Sequence, residues 1–551
     1  MRLGKLKIIP TGRGGLVLAG LMVLCCLFIS PTSAQRAQTA FAQDAQILQK
    51  AKQLLQNQDL NGAESLLEDH LAKTPEDVEA KVLLGVVYDQ QNRAVDAEKI
   101  YREVLTKNPR EVSALANLGV LLMRSNRADE ATKTLEKVLV LQPGHKQAAY
   151  NLAALYSTRN ESAKALPLLE RLVGITTRNR IPNATDSALL FALTKAYAQT
   201  GNTKDAIRIG KILENQSADD ARTLFTLGLV FAQAREYPMA ADLFEKVRAK
   251  VPGNFDVLYN LGVAYYNLNQ LEKSRAMLQE AATLDPRSAE AFYRLGLVAA
   301  AKNEIEDALG LWLKAVELRP TFHEANFLIA EQLFKRRAYF RAREYYEKAA
   351  AAQPANLLYQ VRLSTTYIRT QEYEKARAVL EREDKVHPDH IDLTYLRGFL
   401  ARAEGNYDEA LIYFEKMLRL APENADALSN LGFIAVERGE SEKAEGLLRR
   451  AIKADPKTFV AYYDLGRLLV RLKKFDEAIG ILEHGAQLNT MDPGVHYQLF
   501  IAYSRLKQKD KADTNFAEFK RLEKIYDKTA AAATSNDKTI DIPPSVVQEK
   551  P

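Results

Sequence analysis

Aromatic side chains recur along this chain about every 34 residues, inside segments whose apolar residues repeat every three or four positions. That short period is typical of helices. Rings repeated in this way could line a surface that receives a peptide or another protein. Nine of fourteen corresponding positions are aromatic, and we call this the aromatic position: Tyr150, Phe191, Phe225, Tyr259, Tyr293, Phe327, Tyr395, Tyr463 and Tyr497.

The residue that follows the aromatic position is often Asn or Arg, and we call this the polar position. An Asn side chain has one acceptor and two donors, so it can pair bidentately with a peptide group. An Arg side chain can do the same for a carboxylate. Thr226 and Asp464 interrupt the Asn series, which weighs against one continuous row of Asn side chains that pair with the backbone of a peptide. The Asn and Arg residues concerned are Asn117, Asn151, Asn260, Arg294, Arg362 and Asn430.

Residues for catalysis or metal binding are not repeated in this way. His387 and His390 form the only close pair among the seven histidines, and they flank Pro388, so a solvated turn is favoured over a zinc site. No H-E-x-x-H, P-loop or G-x-S-x-G motif occurs, and no nucleophile is paired with a base. We therefore expect no enzyme activity, no cofactor and no metal.

The segment from Asn254 to Pro286 shows which elements carry the aromatic and polar positions. Apolar residues at steps of three and four predict a first helix around Leu261. A second amphipathic stretch follows, with Leu278 on its inner face. Pro286 closes this stretch, because the residue before a proline avoids the helical region. Neither helix could bury its apolar stripe alone, so each needs its partner and the neighbouring copy.

Two further positions recur with the same period, apart from one seven-residue offset. The glycine position is small in all but two copies, as a close crossing of helices requires: Ala51, Gly85, Gly119, Ala153, Thr194, Gly228, Gly262, Gly296, Ala330, Ser364, Gly398, Gly432, Gly466 and Phe500. The alanine position lies twelve residues later and departs from Ala once: Ala63, Ala97, Ala131, Ala165, Ala206, Ala240, Ser274, Ala308, Ala342, Ala376, Ala410, Ala444, Ala478 and Ala512.

This pattern of L-G-x-x-Y, A-x-x-x-F and a closing proline resembles the tetratricopeptide repeat. The resemblance covers roughly nine-tenths of the chain. It implies an all-α fold, a right-handed superhelical solenoid of about fourteen 34-residue helix-turn-helix repeats.

In tetratricopeptide repeat proteins the aromatic and polar positions face a concave groove, and Asn there resembles the ladders that hold extended peptides. The resemblance therefore implies a protein or peptide partner. The alternative is packing, because Tyr-Asn is common in the family and the ring packs partly against the next repeat. The candidate groove residues are Asn117, Tyr150, Asn151, Phe225, Tyr259, Asn260, Tyr293, Arg294, Arg362, Tyr395, Asn430, Tyr463 and Tyr497.

The repeats divide into two arrays along the chain. Residues 44–179 hold repeats 1 to 4, and residues 188–526 hold repeats 5 to 14. Residues 180–187 form an inserted loop, which is a tolerated insertion, a hinge between the arrays or a loop that reaches over the groove. Residues 527–551 lack apolar periodicity at their end, and we expect a disordered tail.

Residues 1–42 are expected to direct export. Basic residues precede the apolar stretch 16–29, which has the length of a signal-peptide core and is shorter than the roughly 20 residues of a spanning helix. Cleavage after Ala34 or Ala42 would place the chain in the periplasm of a two-membrane bacterium. An uncleaved segment would anchor the solenoid at the inner membrane, outside the cytoplasm. Both cysteines, Cys25 and Cys26, lie in this stretch.

The formal net charge of +6 does not indicate a nucleic-acid partner. Basic residues before Asp44, the first acidic residue, contribute +5, which leaves +1 for the rest. A helical-repeat nucleic-acid binder is therefore disfavoured. Because repeats fill the chain, no room remains for a catalytic domain. We expect an exported, non-catalytic protein-protein interaction scaffold, acting in envelope assembly or polysaccharide export. The alternative is an accessory subunit of a separately encoded enzyme complex. Membrane contact is expected only through the N-terminal segment.

Overall fold

The computed structural model describes residues 33–176, 181–183 and 186–534. These residues form twenty-eight helices and no strand. The chain divides into two compact units between Gln216 and Ser217, which we call the N-terminal unit and the C-terminal unit. Within each unit, odd-numbered first helices pack on the even-numbered second helices that follow them.

The N-terminal unit contains ten helices: α1 (Ser33–Gln56), α2 (Leu60–Lys73), α3 (Val78–Gln90), α4 (Ala94–Lys107), α5 (Val112–Arg124), α6 (Ala128–Leu141), α7 (Lys146–Thr158), α8 (Ser162–Val173), α9 (Ser187–Gln199) and α10 (Thr203–Gln216).

The C-terminal unit contains the remaining helices: α11 (Ala221–Gln233), α12 (Tyr237–Lys250), α13 (Phe255–Asn267), α14 (Leu271–Leu284), α15 (Ala289–Ala301), α16 (Ile305–Leu318), α17 (His323–Lys335), α18 (Tyr339–Ala352), α19 (Leu357–Arg369), α20 (Tyr373–Val386), α21 (Ile391–Ala403), α22 (Tyr407–Leu420), α23 (Ala425–Glu437), α24 (Ser441–Ala454), α25 (Phe459–Arg471), α26 (Phe475–Leu488), α27 (Pro493–Arg505) and α28 (Lys509–Thr534).

Local signals fix where each helix begins and ends, as α13 and α14 illustrate. The side-chain oxygen of Asn254 accepts a hydrogen bond from the backbone N–H of Val257 (3.1 Å), which satisfies a free donor at the start of α13. Asn269, in the turn to α14, adopts a left-handed φ of +56°, a conformation that Asn tolerates better than most residues. Asp285 leaves the helical region (φ −127°, ψ +89°) before Pro286, as the sequence predicts.

The glycine and alanine positions form the crossing between the two helices of a repeat. A Cβ atom at Gly262 would lie 2.6 Å from Cγ of Leu278, so a side chain there would force the helices apart. The alanine position is buried in every repeat, and in repeat 7 the Ser274 hydroxyl donates to the carbonyl of Gly262 (2.8 Å). Trp312, the only tryptophan, is 1% exposed and lies in the core.

A tyrosine three residues after the glycine position hydrogen-bonds to a glutamate on the preceding second helix in six repeats. Each bond therefore joins two consecutive repeats. The pairs are Tyr88–Glu68 (3.0 Å), Tyr156–Glu136 (2.5 Å), Tyr197–Glu170 (2.5 Å), Tyr265–Glu245 (2.6 Å), Tyr367–Glu347 (2.9 Å) and Tyr503–Glu483 (2.5 Å).

The expected segment boundaries lie as follows on these helices. The helix α1 begins at Ser33, so both expected cleavage positions fall within it, whereas the apolar stretch 16–29 lies outside the described residues. The inserted loop follows α8, which ends at Gly174 with a left-handed φ of +78°. The last helix continues to Thr534, into the segment expected to be disordered, and contacts α18. None of the described helices has the length and apolar character that a membrane crossing requires.

Candidate functional site

The candidate residues of the N-terminal unit lie on α5 and α7. Tyr150 is 41% exposed, and Asn117 and Asn151 are half-buried. Nε2 of Gln147 donates to Oδ1 of Asn151 across one helical turn (3.3 Å). These side chains are therefore accessible on the first helices.

The other candidates lie on the first helices of the C-terminal unit: Phe225 on α11, Tyr259 and Asn260 on α13, Tyr293 and Arg294 on α15, Arg362 on α19, Tyr395 on α21, Asn430 on α23, Tyr463 on α25 and Tyr497 on α27. The structure brings some of them together and holds others against the core, as the following contacts show.

Tyr259, Tyr293 and Arg294 form one cluster across two consecutive repeats. Nε of Arg294 donates to the hydroxyl of Tyr259 (3.3 Å), and its guanidinium lies 5.7 Å from the centre of the Tyr293 ring. All three side chains are half-buried. The Tyr293 ring also packs on Phe322, with ring centres 4.8 Å apart. This cluster keeps aromatic and cationic groups within reach of solvent.

Several rings at the aromatic position also pack within their own repeat. The ring-centre distances are 5.6 Å for Phe225 and Phe244, 6.1 Å for Tyr463 and Phe459, and 5.2 Å for Tyr497 and Phe519. Tyr497 nevertheless remains 41% exposed. Packing and exposure therefore coexist at this position.

The polar position is partly engaged within the protein. Nε of Arg362 lies 3.0 Å from Oε1 of Glu331, so this guanidinium already has a carboxylate partner. Nδ2 of Asn260 and Nδ2 of Asn430 each donate to the backbone carbonyl four residues earlier, at 2.7 and 2.8 Å. Each amide keeps its oxygen and a second N–H, and the buried Oδ1 of Asn430 has no hydrogen-bond partner among the described residues. Asn260 is half-buried and keeps groups that a peptide could reach, whereas Asn430 is 6% exposed and its buried oxygen is closed to a peptide.

Beside Tyr395 and Asn430, four neighbouring first helices carry an alternating series of arginine and phenylalanine. We call Arg369, Phe399, Arg402, Phe433 and Arg467 the arginine–phenylalanine ladder. From guanidinium carbon to ring centre, Arg369 lies 5.6 Å from Phe399, and Arg402 lies 4.8 Å from both Phe399 and Phe433. Arg467 lies 5.5 Å from Phe433. Such contacts between a cation and a ring face are attractive.

Two cations of the ladder lack carboxylate partners. Among the described residues, no hydrogen bond or ion pair joins the guanidinium of Arg369 or Arg402 to another side chain. Each guanidinium lies against aromatic rings, that of Arg369 against Phe399 and that of Arg402 against Phe399 and Phe433. Arg402 is half-buried, and this burial lowers the pKa of its guanidinium. Arg369 is exposed.

The third cation of the ladder is paired. Arg467 Nη2 lies 3.0 Å from Oε1 of Glu437 and 3.5 Å from Oδ1 of Asp464. The Asp464 side chain is 5% exposed. Burial raises the pKa of Asp464 to about 6, although the attraction of Arg467 and Arg402 opposes the shift. The residue that interrupts the Asn series is thus a buried carboxyl group beneath the ladder.

The ladder residues lie outside the aromatic and polar positions from which the groove was predicted. Phe399, Phe433 and Arg467 follow the glycine position directly in three consecutive repeats. Arg402 lies one helical turn further along α21. The residue types at these positions can be read from the sequence, whereas the contacts of Arg402 with two rings appear only in the structure.

In the described part of the chain, no three His, Cys, Asp or Glu side chains come together as ligands of a metal ion would. His387 and His390 lie at the turn between α20 and α21. The arrangement on the first helices consists of ring faces, amides and guanidiniums, which suit recognition of peptide groups and carboxylates.

Family comparison identifies the repeats. Sequence models of the tetratricopeptide repeat match residues 54–118, 231–295, 401–468 and 435–497, and further tetratricopeptide repeat models match residues 363–429 and 293–357. The model of the cilia and flagella-associated protein 70 middle TPR-like domain matches residues 88–214. No curated protein sequence matches the chain.

Three of the solved structures that match the chain are the following. Yeast Tom70 shares 17% identity with a TM-score of 0.32, over 80% of this chain and 98% of that chain. The APC/C hetero-tetramer Cut9-Hcn1 shares 15% identity with a TM-score of 0.36, over 88% and 95% of the two chains. The complex of Naa15/Naa10 bound to HypK-THB shares 16% identity with a TM-score of 0.36, over 89% and 78%. With its helix pairs and its matched repeats, this chain is an all-α solenoid built from tetratricopeptide repeats.

Proposed function

We propose that this protein is a non-catalytic interaction scaffold whose first helices bind an extended peptide segment or a partner domain. The observation that carries the proposal is the cluster of Tyr259, Tyr293 and Arg294, which joins the polar position of one repeat to the aromatic position of the preceding one. Its side chains remain partly accessible. Since consecutive repeats contribute to it, binding depends on several repeats at once.

The proposal extends to location. The apolar stretch 16–29 after basic residues supports export to the periplasm of a two-membrane bacterium, with envelope assembly or polysaccharide export as the pathway served. Export predicts that the mature chain begins near Gln35 or Gln43. An intact mass that still includes Cys25 would instead indicate an anchored protein.

The test of binding is capture of partners from an envelope extract by the purified full-length protein. A variant with Tyr259, Asn260, Tyr293 and Arg294 all changed to Ala is run in parallel. We expect partners captured by the parent to be lost by this variant, because it removes ring faces and donors from two consecutive repeats. A single change such as Tyr259→Ala has a small effect.

A matched control changes four exposed side chains on the second helices of the same two repeats. Its substitutions to Ala are at Gln279, Glu280, Asp307 and Glu317. This control should retain the partners. If parent, first-helix variant and control all capture the same partners equally, the first helices are not the binding surface and the proposal fails.

A further inference from the structure

We infer that the arginine–phenylalanine ladder binds acidic side chains of a partner segment, with Arg402 and Arg369 as the groups that receive carboxylates. This inference rests on the proposed function, since it assumes that the first helices bind a protein. It goes further by assigning a place in the C-terminal unit and a chemical class to the bound segment.

The geometry of Arg402 selects the kind of group that can bind. Its guanidinium contacts the rings of Phe399 and Phe433, each at 4.8 Å. A guanidinium has five N–H donors in one plane, so contacts with ring faces leave the donors at its edge for in-plane acceptors. Two parallel hydrogen bonds to the two oxygens of a carboxylate match this edge.

The charges around the ladder favour a carboxylate over a phosphate. Arg467 is already paired with Glu437 (3.0 Å) and lies 3.5 Å from Asp464, so it offers little free positive charge. A phosphate group carries about two negative charges and would be repelled by both of these acidic residues. A carboxylate carries one, and the unpaired cations Arg402 and Arg369 suffice to balance it.

The two unpaired cations also suggest the spacing of the acidic residues. Arg369 and Arg402 contact the same ring, that of Phe399, at 5.6 and 4.8 Å. In an extended segment, side chains two residues apart lie on the same side with a separation of roughly 7 Å. Since both guanidinium carbons lie so close to one ring centre, they are at most about 10 Å apart, and acidic residues at alternate positions can reach both cations. The half-buried rings of Phe399 and Phe433 remain for apolar side chains of the same segment.

The probe is a dye-labelled peptide with Glu-Val-Glu-Val-Glu at its centre and Gly-Ser repeats on both sides. Two matched peptides replace each Glu with Gln or with phosphoserine. Fluorescence anisotropy with the full-length protein at near-physiological salt measures the dissociation constant of each peptide. We expect the Glu peptide to bind at least tenfold more tightly than the Gln peptide and more tightly than the phosphoserine peptide.

Variants of the protein then locate the site. Arg402→Gln and the exposed Arg369→Gln should each weaken binding of the Glu peptide by about tenfold to a hundredfold, the effect of losing a hydrogen bond to a charged group. Arg402→Lys keeps the charge and loses the planar fork, so its loss should approach that of Arg402→Gln. Arg419→Gln, on the exposed side of α22, is the matched control and should leave binding unchanged.

Each contrary result overturns the inference. Equal affinity for the Glu and Gln peptides would show that the negative charge does not contribute to binding. Higher affinity for the phosphoserine peptide would show that the site binds a dianion. Unchanged binding in Arg369→Gln and Arg402→Gln places the site elsewhere. The ladder variants could leave peptide binding unchanged while the variant with Tyr259, Asn260, Tyr293 and Arg294 changed to Ala still loses its captured partners. In that case the proposed function stands and only the assignment of the ladder is wrong.

Discussion

Replacing Asp464 with asparagine tests the buried carboxyl group beneath the arginine–phenylalanine ladder. The side chain is nearly inaccessible, and its pKa is raised to about 6. Asparagine has almost the same shape and occupies the polar position in other repeats, including Asn260 and Asn430. The change therefore removes a titrating group and leaves the packing nearly intact.

The sign and size of the effect follow from linkage between protonation and folding. In the unfolded chain an aspartate has a pKa of about 4, so between about pH 4 and pH 6 the folded state holds the proton more tightly. The parent protein therefore loses stability as pH rises through this window and is constant above it. A difference of about two pKa units corresponds to about 3 kcal/mol. Asp464→Asn should lack this loss.

Hydrogen exchange of the amides in α25 provides the assay, because a repeat protein opens locally and one global unfolding free energy is poorly defined. Parent and variant are compared at the same pH, so the intrinsic pH dependence of exchange cancels. Relative to the parent, Asp464→Asn should become up to about a hundredfold more protected at pH 7 than at pH 4.

Asp476→Asn is the matched control, since Asp476 is exposed on the following helix α26 and also loses one carboxylate. The ratio of amide protection in this control to that in the parent should not change between pH 4 and pH 7 as it does for Asp464→Asn. If the ratio of amide protection between Asp464→Asn and the parent is the same at pH 4 and pH 7, Asp464 titrates as a solvated carboxyl group. Burial then does not raise its pKa, and the reasoning is refuted.

Four further substitutions test the packing of the repeats. Gly432→Ala places a methyl group against the second helix and should lower the free energy of local unfolding by about 1–3 kcal/mol, whereas Gly446→Ala points into open space and should raise it by about 0.5–1 kcal/mol. Amide exchange in α23 and α24 measures both changes, and equal effects would contradict the close crossing. Trp312→Ala should cost about 3–5 kcal/mol because the ring is 1% exposed, and a cost below about 1 kcal/mol would place it outside the core. Tyr265→Phe should cost about 1–2 kcal/mol by removing the bond to Glu245 (2.6 Å), seen as faster amide exchange in α12 and α13; unchanged exchange would count against that bond.

The repeat architecture could be predicted because it depends on local spacing. A constant repeat period places Gly262 and Leu278, and their counterparts in each copy, in the same relation, and the structure shows these two residues in contact. Periodicity also marks the first helices, on which the aromatic and polar positions lie. These conclusions need only the residues of one repeat and its neighbour.

The ladder could not be predicted from local spacing, because it depends on which side chains of four successive first helices meet. Arg402 is one of many arginines, and nothing in its own repeat shows that rings from two repeats contact it. Asp464 appeared only as an interruption of the Asn series, whereas its burial depends on neighbouring helices. The division after Gln216 follows from packing, and the sequence marks it only by the lack of a closing proline in repeat 5.

The hydrogen bonds between tyrosine and glutamate join some consecutive repeats and are replaced by other contacts elsewhere. A hydrogen bond is directional and resists sliding of one repeat over the next, whereas apolar contact is not directional. On α21, α23 and α25, Ala401, Ala435 and Leu469 replace the tyrosine, so these joints lack that bond. Ion pairs cross these joints instead, including Arg397–Asp384 (2.8 Å) and Arg467–Glu437 (3.0 Å). Because salt screens ion pairs between exposed groups more than it weakens neutral hydrogen bonds, the coupling between repeats along the ladder should depend on ionic strength.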